Sequence, residues 1–372
     1  MFLRRGRSHR LHRQSLAVRC VYGFMRHILL CLSLIISAQA APQEISDAAA
    51  LNSALRDLKP GTVLKLAPGE YPGGHHITGI DDLTLEALDP KQPPHFKGDR
   101  TAFQFSRCHR LTLRYLKISD QSTNGINLDD GGQRTNPVKG ITLDHLDISD
   151  IGPKGNHDAI KCSGLDELTI RDCTITGWGG QGIDFVGCHK SRITGCRFIG
   201  KPGFTASAAI QLKGGTSEVT VEKCHFKNAG ERPVNVGGST GLDFFRPPDA
   251  TYEGKDLTVQ DCIIEGSLCA AAFVGVDGAV FTRNTILYPE KWIFRILQET
   301  TAPRFEPCRN VVITENRITF RRAQVQIEIN IGANTAPETF TFARNHWLAE
   351  DRPDRSKPRL PAHESGSVLG GK

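Results

Sequence analysis

The chain has 372 residues, of which 39% are hydrophobic, 7% are aromatic and 37 are glycine. This composition is typical of a domain built from many short strands and turns, and the length allows a large core. The formal net charge of +6 depends on seven arginines within residues 1–40, a segment without acidic residues, and falls to −1 when that segment is removed. A nearly neutral body argues against nucleic-acid binding.

Residues 1–40 are predicted to be an export signal. Arg26 and His27 precede a short apolar run at residues 28–36, and a small-x-small pattern follows at residues 38–40. The run is too short to span a bilayer. We expect translation to start at Met25 and cleavage to occur after Ala40, which gives a secreted or periplasmic protein without a membrane span.

Residues 41–72 are predicted to form an N-terminal cap. Apolar residues recur at three- and four-residue steps between Glu44 and Leu58, which predicts one amphipathic helix with Ser46 or Asp47 as its N-cap. Residues 61–71 predict a strand followed by a Pro-Gly turn. A helix with one apolar face would cover the first coil of a stacked solenoid.

A repeated segment of ten residues, with alternating apolar and polar positions, recurs nine times between residues 111 and 348. Its sixth position carries leucine, then cysteine, then asparagine, at Leu116, Leu146, Cys173, Cys196, Cys224, Cys262, Asn284, Asn316 and Asn345. Short strands at this period are typical of a solenoid, and in a parallel β-helix equal positions stack about 4.8 Å apart. We therefore predict an all-β, single-stranded parallel β-helix of about ten coils over residues 73–349, followed by an irregular tail at residues 350–372.

The cysteines of this column are predicted to be buried structural thiols. Zinc ligands must converge from different directions, whereas a single-file column does not. The sequence also lacks a CxxC pair. Packing is therefore favoured over a metal site and over disulfides.

A second set of strands carries the polar residues. Its inward positions are Ile126, Ile160, Ile183, Ile210 and Val234, and its outward positions are Asn127, Lys161, Asp184, Gln211 and Asn235, with Arg295 and Glu328 predicted to continue the outward column. Two positions before the inward residues stand Asn124, Asp158, Gln181, Ala208 and Arg232. The sequence predicts one polar working face in the middle of the chain.

The cap, the segment PGTVLKLAPGEY at residues 60–71 and the coil series resemble the pectate-lyase-like right-handed parallel β-helix superfamily, and within it the chondroitinase B and alginate lyase type. The resemblance covers residues 44–348 and implies a right-handed helix. The segment AIQLKGG is similar to the family segment that carries the catalytic lysine, which implies this role for Lys213. Ala208 and Ala209 replace the family's calcium-binding acidic pair.

The predicted function is β-elimination on a uronate-containing, anionic polysaccharide. Abstraction of the C5 proton requires a base and a neutralised carboxylate. Lys213 is the predicted base, with Arg232 and Lys161 as carboxylate-binding partners. Substrate contacts are expected from a further set of polar residues, namely Asp184, Gln211, Asn235, His157, Asp158, Asn127 and Arg295.

Other interpretations remain open at this point. Lys161 and Asp184 form an exposed salt bridge in one of them. In another, paired aspartates hydrolyse the polymer, although strand spacings place Asp158 and Asp184 roughly 11 Å apart, and Asp129 and Asp130 are then the nearer acids. Asp129, Asp130 and Asp158 are alternatively predicted to hold Ca²⁺. Epimerisation and non-catalytic glycan binding are the remaining alternatives.

Overall fold

The computed structural model describes residues 41–371. Within this range the chain forms one α-helix, Ala48–Arg56, three short 3-10 helices, Leu242–Phe244, Pro337–Thr339 and Pro353–Arg355, and a long series of short β-strands. No helix in this range has the length and apolarity needed to cross a membrane. The predicted export signal, including Met25 and Ala40, lies outside the described residues.

Three parallel sheets run along the molecule. Sheet A contains Gln43–Ile45, Val63–Leu66, Thr84–Ala87, Thr112–Arg114, Thr142–Asp144, Thr169–Arg171, Arg192–Thr194, Thr216–Ser217, Thr220–Glu222, Gly254–Gln260, Val276–Thr282, Arg309–Thr314, Thr341–Ala343 and Glu364–Ser365. Sheet B contains Glu70–Pro72, His95–Lys97, Lys117–Ser119, Asp147–Ile151, Thr174–Trp178, Arg197–Ile199, His225–Lys227, Ile263–Glu265, Thr285–Leu287, Arg317–Phe320, His346–Ala349 and Val368–Leu369. Sheet C contains His75–Thr78, Phe103–Ser106, Ile126–Asp129, Ile160–Ser163, Gln181–Val186, Ala208–Lys213, Arg232–Gly237, Ala271–Val274, Phe294–Leu297 and Ile329–Ile331.

Each coil contributes one strand to sheets A, B and C in turn, and its strands pair in parallel with those of the next coil. One further short pair, Val138–Lys139 with Leu165–Asp166, lies beside this path. The fold is the predicted right-handed parallel β-helix. Its core is the space enclosed by the three sheets, where the inward apolar side chains of successive coils stack.

The cap helix starts at one of the two predicted N-caps. Asp47 is the N-cap, and its side chain accepts a hydrogen bond from the backbone N–H of Ala50 at 2.9 Å. The preceding residues Gln43–Ile45 form a strand instead of a helical turn, because they pair with Val63–Leu66 at the edge of sheet A. The strand pairing supplies hydrogen-bond partners for backbone groups that would lack them at the start of a helix.

The sixth-position column is confirmed as a stack of buried residues. All nine cysteines in the described range are buried and free. Further along the column, Asn284 Nδ2 donates to Asn316 Oδ1 at 3.1 Å, and Asn316 Nδ2 donates to Asn345 Oδ1 at 2.9 Å. The amide ladder therefore satisfies polar groups inside the core.

The register of sheet C agrees with the predicted inward column, which runs through Ile126, Ile160, Ile183, Ile210 and Val234. The outward column continues from Asn235 through Ala272 and Arg295 to Asn330. The prediction of Glu328 in this column is wrong, since Glu328 precedes the strand Ile329–Ile331. The last coil thus carries an amide at the outward position.

The tail is more regular than predicted. Glu364–Ser365 extends sheet A by pairing with Thr341–Ala343, and Val368–Leu369 extends sheet B by pairing with His346–Ala349. Glu364 also receives the side-chain N–H of Asn345, at 2.7 Å. These contacts let the tail cover the last coil and end the asparagine ladder.

Candidate functional site

A cleft of about 560 Å³ lies on the outer face of sheet C. Lys161, Asp184 and Lys213, from three successive coils, line its floor. Asn156 lines one side and Phe244 the other. Both belong to loops that flank the sheet, so the cleft is a groove across the strands, along the stacking direction of the coils.

The floor is organised by one network of ion pairs. Lys161 Nζ lies 2.9 Å from Asp158 Oδ2 and 2.7 Å from Asp184 Oδ2, and Lys213 Nζ lies 3.4 Å from Asp184 Oδ1. Both carboxylates are fully buried, with side-chain exposures of 0%, whereas Lys161 keeps 31% and Lys213 keeps 14%. The salt bridge considered as an alternative is therefore present, but its acidic partner is buried.

Asp158 and Asp184 are much closer than strand spacings predict. Their two oxygens lie no more than about 5.6 Å apart, which is the sum of the 2.9 Å and 2.7 Å contacts to Lys161 Nζ. The predicted separation of roughly 11 Å is wrong because it follows the backbone, whereas both side chains converge on one ammonium group. Asp158 does not line the cleft; Asp184 does.

The protonation of this network follows from its burial. Burial, and then the charge of Asp184, raise the pKa of Asp158 above its ordinary value, against the opposing effect of Lys161. Burial by itself lowers the pKa of Lys161, but the carboxylates of Asp184 and Asp158 outweigh it and raise that pKa above its ordinary value. Lys161 is therefore a fixed cation at neutral pH.

One wall of the cleft is tied to the β-helix by Arg246. Its Nε and Nη2 donate to the two oxygens of Asp130 at 2.6 and 2.9 Å, a bidentate pair that is almost fully buried. The side chain crosses the turns at Gly164 and Gly187, both of which have positive φ. A Cβ at Gly187 would overlap the Arg246 side chain. The two glycines thus provide the space in which the wall is anchored.

The buried carboxylate of Glu253 also holds the same wall in place. It accepts hydrogen bonds from the backbone N–H of Gly214 at 2.8 Å, from the backbone N–H and hydroxyl of Thr240 at 2.8 and 2.7 Å, and from the hydroxyl of Thr300. Gly214 directly follows Lys213, and Thr240 lines the cleft. Glu253 therefore connects the end of the floor strand to the wall loop.

The structure does not bring Arg232 next to Lys213. Arg232 pairs in register with Ala208, five residues before Lys213 on the neighbouring strand, and its Nη1 donates to Glu299 at 3.1 Å. Arg295 lies farther along the same face, three coils from Gln211. The predicted catalytic group therefore separates: Lys161 and Lys213 stay together, whereas Arg232 lies apart from them.

The predicted amide positions all lie in the outward column. Asn127 donates to Gln104 Oε1 at 2.9 Å and belongs to an amide ladder on the N-terminal side of the cleft. Gln211 and Asn235 are buried in the outward column of sheet C, between the cleft and Arg295. His157 precedes Asp158 in a loop, but its neighbour Asn156 is the residue that lines the cleft.

The residues predicted to hold Ca²⁺ do not fit that ion. Asp129 accepts from Gln104, Ser106 and the backbone N–H of Gly131. Asp130 is occupied by Arg246, and Asp158 accepts from Lys161 and from the backbone N–H of Gln181. Hard cations need free oxygen ligands that converge, whereas these carboxylates are engaged by protein donors. The Ca²⁺ prediction itself stays untested.

Arg246, Phe244 and Glu253 are residues that sequence reasoning missed. They lie within the longest interval between two repeated segments, from Val219 to Leu257. An insertion in one repeat maps to a loop on one face, which is often the binding face. The length of that interval was the sequence signal that could have indicated a loop beside the binding face.

Residues 101–286 match the family described as the right handed beta helix region. The chain belongs to this right-handed β-helix family. An alginate lyase from Paenibacillus sp. str. FPU-7 has a similar structure, with a TM-score of 0.55 and 19% identity over 79% of this chain and 99% of that one. A hyperthermoactive exopolygalacturonase from Thermotoga maritima has a TM-score of 0.53 and 12% identity, covering 88% of each chain. At these identities the two likenesses show a shared β-helix fold, and no curated protein matches this β-helix chain.

Proposed function

We propose that this β-helix protein is an exported polysaccharide lyase that cleaves a uronate-containing polymer by β-elimination. The observation that carries the proposal is the pair of lysine side chains, Lys161 and Lys213, on the floor of a groove open along several coils. An extended polymer fits such a groove. The glycan-active names of two proteins with this fold, an alginate lyase and an exopolygalacturonase, are consistent with this substrate class.

In the proposed reaction, the neutral amine form of Lys213 accepts the C5 proton of the uronate unit and becomes an ammonium group. The electron pair forms the C4–C5 double bond, the bond from C4 to the glycosidic oxygen breaks, and the leaving oxygen takes up a proton from water. Lys161 stabilises the negative charge that develops on the substrate carboxylate during proton removal. Lys213 serves as base because it lines the cleft and contacts only one carboxylate of the network, Asp184, at 3.4 Å.

The test is the ultraviolet absorbance of the unsaturated uronate product. The mature chain from Ala41 is incubated with alginate, polygalacturonate and chondroitin, with Lys213→Ala beside it. The expected result is product formation on one of these polymers and a loss of about 10²- to 10⁴-fold in kcat for the variant, the range for removal of a general base. Equal turnover by Lys213→Ala would refute its role as base.

Hydrolysis is the second candidate, and the distance between Asp158 and Asp184 favours it. An upper limit of about 5.6 Å, set by the 2.9 and 2.7 Å contacts, is close to the separation of about 5 to 5.5 Å in retaining glycosidases. The raised pKa of Asp158 is also a property of a general acid, but Asp158 is fully buried and outside the cleft lining, so this chemistry requires it to become exposed when substrate binds. New reducing ends that form without the unsaturated product, and that Asp184→Asn abolishes, would establish this chemistry instead.

A further inference from the structure

A second group of charged residues lies on the same face as the cleft. The outward column passes in register from Gln211 through Asn235 and Ala272 to Arg295. Three coil steps of about 4.8 Å place Arg295 about 14 Å from the coil that carries Lys213. This distance is comparable to a few sugar units of an extended polymer that runs across the strands.

Arg295 is held in place but keeps free donors. Its guanidinium lies over the ring of Trp292, 4.7 Å from the centroid, and its Nε donates to Asn330 Oδ1 at 3.0 Å. Within residues 41–371 its two terminal nitrogens have no hydrogen-bond partner. A guanidinium oriented by stacking and by one hydrogen bond presents the remaining edge as a planar fork.

Arg232 adds a second guanidinium: its backbone lies one coil from Lys213, but its side chain reaches Glu299, which follows the strand Phe294–Leu297 that carries Arg295. Its side chain is 21% exposed and donates through Nη1 to Glu299 at 3.1 Å. Burial, and then the positive charge of Arg232, lower the pKa of Arg295, as expected for two guanidinium groups close together in a partly buried place. Cys269, then Glu299 and then Glu231, oppose this lowering of the pKa. An additional anion would relieve the remaining repulsion.

The column between the cleft and these arginines contains an unsatisfied polar atom. Asn235 is 4% exposed, and its Oδ1 receives no hydrogen bond from the described residues. An unpartnered buried amide oxygen is costly unless a ligand or water supplies a donor. Ala272, the next residue of the column, is fully buried, so neighbouring side chains cover this part of the sheet. A sugar hydroxyl group would supply the missing donor to Asn235 Oδ1 once this cover moves.

We propose that Arg295 and Arg232 form a distal subsite that binds the carboxylate of a sugar unit about three coils from Lys213. Guanidinium groups match carboxylates by paired, charge-assisted hydrogen bonds. The proposal rests on the uronate polymer of the proposed function, because the bound group is a second carboxylate of the same chain. It assigns Arg232 to substrate binding at a distance from the reacting unit.

The test is calorimetric titration of hexasaccharides from alginate, polygalacturonate and chondroitin into the Lys213→Ala variant, which prevents turnover. A carboxyl-reduced hexamer is the neutral probe. Adding Arg295→Gln or Arg232→Gln is expected to weaken hexamer binding about tenfold or more, and to leave the reduced hexamer unchanged. Arg283→Gln is the matched control, since Arg283 is exposed and pairs with Asp261 on another face.

The outcomes separate this inference from the proposed function. Arginine variants that bind the hexamer as well as the control does, or that lose the reduced hexamer equally, would refute the subsite, and so would a failure of every uronate hexamer to bind. If hexamer binding depends on Arg295 while the unmodified chain, with Lys213 intact, forms no unsaturated product, the result would support the subsite and refute the lyase. Thermal unfolding of each variant identifies a loss caused by misfolding, and the two separate arginine substitutions provide independent readings.

Discussion

Replacing Lys161 by methionine is the most direct test of the ion network in the cleft. The side chain keeps most of its volume and loses the charge that lies 2.9 Å from Asp158 and 2.7 Å from Asp184. Removing one partner of a buried ion pair costs about 3 to 5 kcal/mol, because the other charge stays buried. Since Lys161 is 31% exposed and Lys213 still contacts Asp184, the lower end, about 3 kcal/mol, is expected for the free energy of unfolding.

The loss should depend on pH in a defined direction. An acid whose pKa is raised by folding binds its proton more tightly in the folded state, so its stabilising contribution is present at low pH and lost as pH rises through the folded pKa. Asp158 is such a group, and Lys161 opposes the rise. Without Lys161 the pKa of Asp158 rises further. The destabilisation is therefore greatest at neutral pH and decreases as the solution is acidified and Asp158 is protonated.

Urea unfolding of Lys161→Met and of the unmodified chain, at about pH 7 and about pH 5, measures both effects. Lys227→Met is the control, because Lys227 is exposed and lies 3.4 Å from an exposed Glu265. Surface pairs contribute about 1 kcal/mol or less. A loss for Lys161→Met as small as that of the control, or equal at both pH values, would refute the account of the network.

Three further results are expected from the core and the cleft wall. Asn316→Leu breaks the amide ladder inside the core and should lower the free energy of unfolding by about 2 to 4 kcal/mol in denaturant titration, whereas an unchanged midpoint would contradict the ladder. Thiols of the folded mature chain should resist alkylation and react after unfolding, because burial raises the pKa of Cys269 and Cys308 to about 12. Arg246→Met leaves Asp130 buried without its partner and should cost about 3 to 5 kcal/mol, with an exposed arginine as control; a cost below about 1 kcal/mol would contradict the anchoring of the wall.

The coil architecture could be predicted from the sequence because each position has a local physical cause. At the corner between sheets A and B, one residue adopts positive φ, as Asp172 does, and the next residue, Cys173, turns into the core. A side chain in this column contacts the equivalent side chain of the next coil. The same residue type therefore recurs there, as cysteine at Cys196 and as asparagine at Asn316. The inward and outward alternation of sheet C follows from the pleat in the same way.

The candidate site was harder to predict because it depends on side chains that reach across coils. Backbone spacing separated Asp158 from Asp184, whereas Lys161 draws their carboxylates together. The wall depends on the pairing of Asp130 with Arg246, which are 116 residues apart in sequence. No local pattern encodes either contact. Glu328 was misplaced for a related reason, since counting from earlier coils does not show where the last strand begins.

The charge distribution of the groove connects the reaction centre with the distal arginines. The centre contains as many carboxylates, Asp158 and Asp184, as ammonium groups, Lys161 and Lys213, so it offers little net attraction to an anionic polymer. A substrate carboxylate must compete there with Asp184 for the lysines. Contacts away from the reacting unit can supply the binding energy for this exchange, which links polymer length to kcat as well as to KM. In the proposed lyase the groove would act on a polymer through several coils at once, and we expect the reacting unit alone to be a poor substrate.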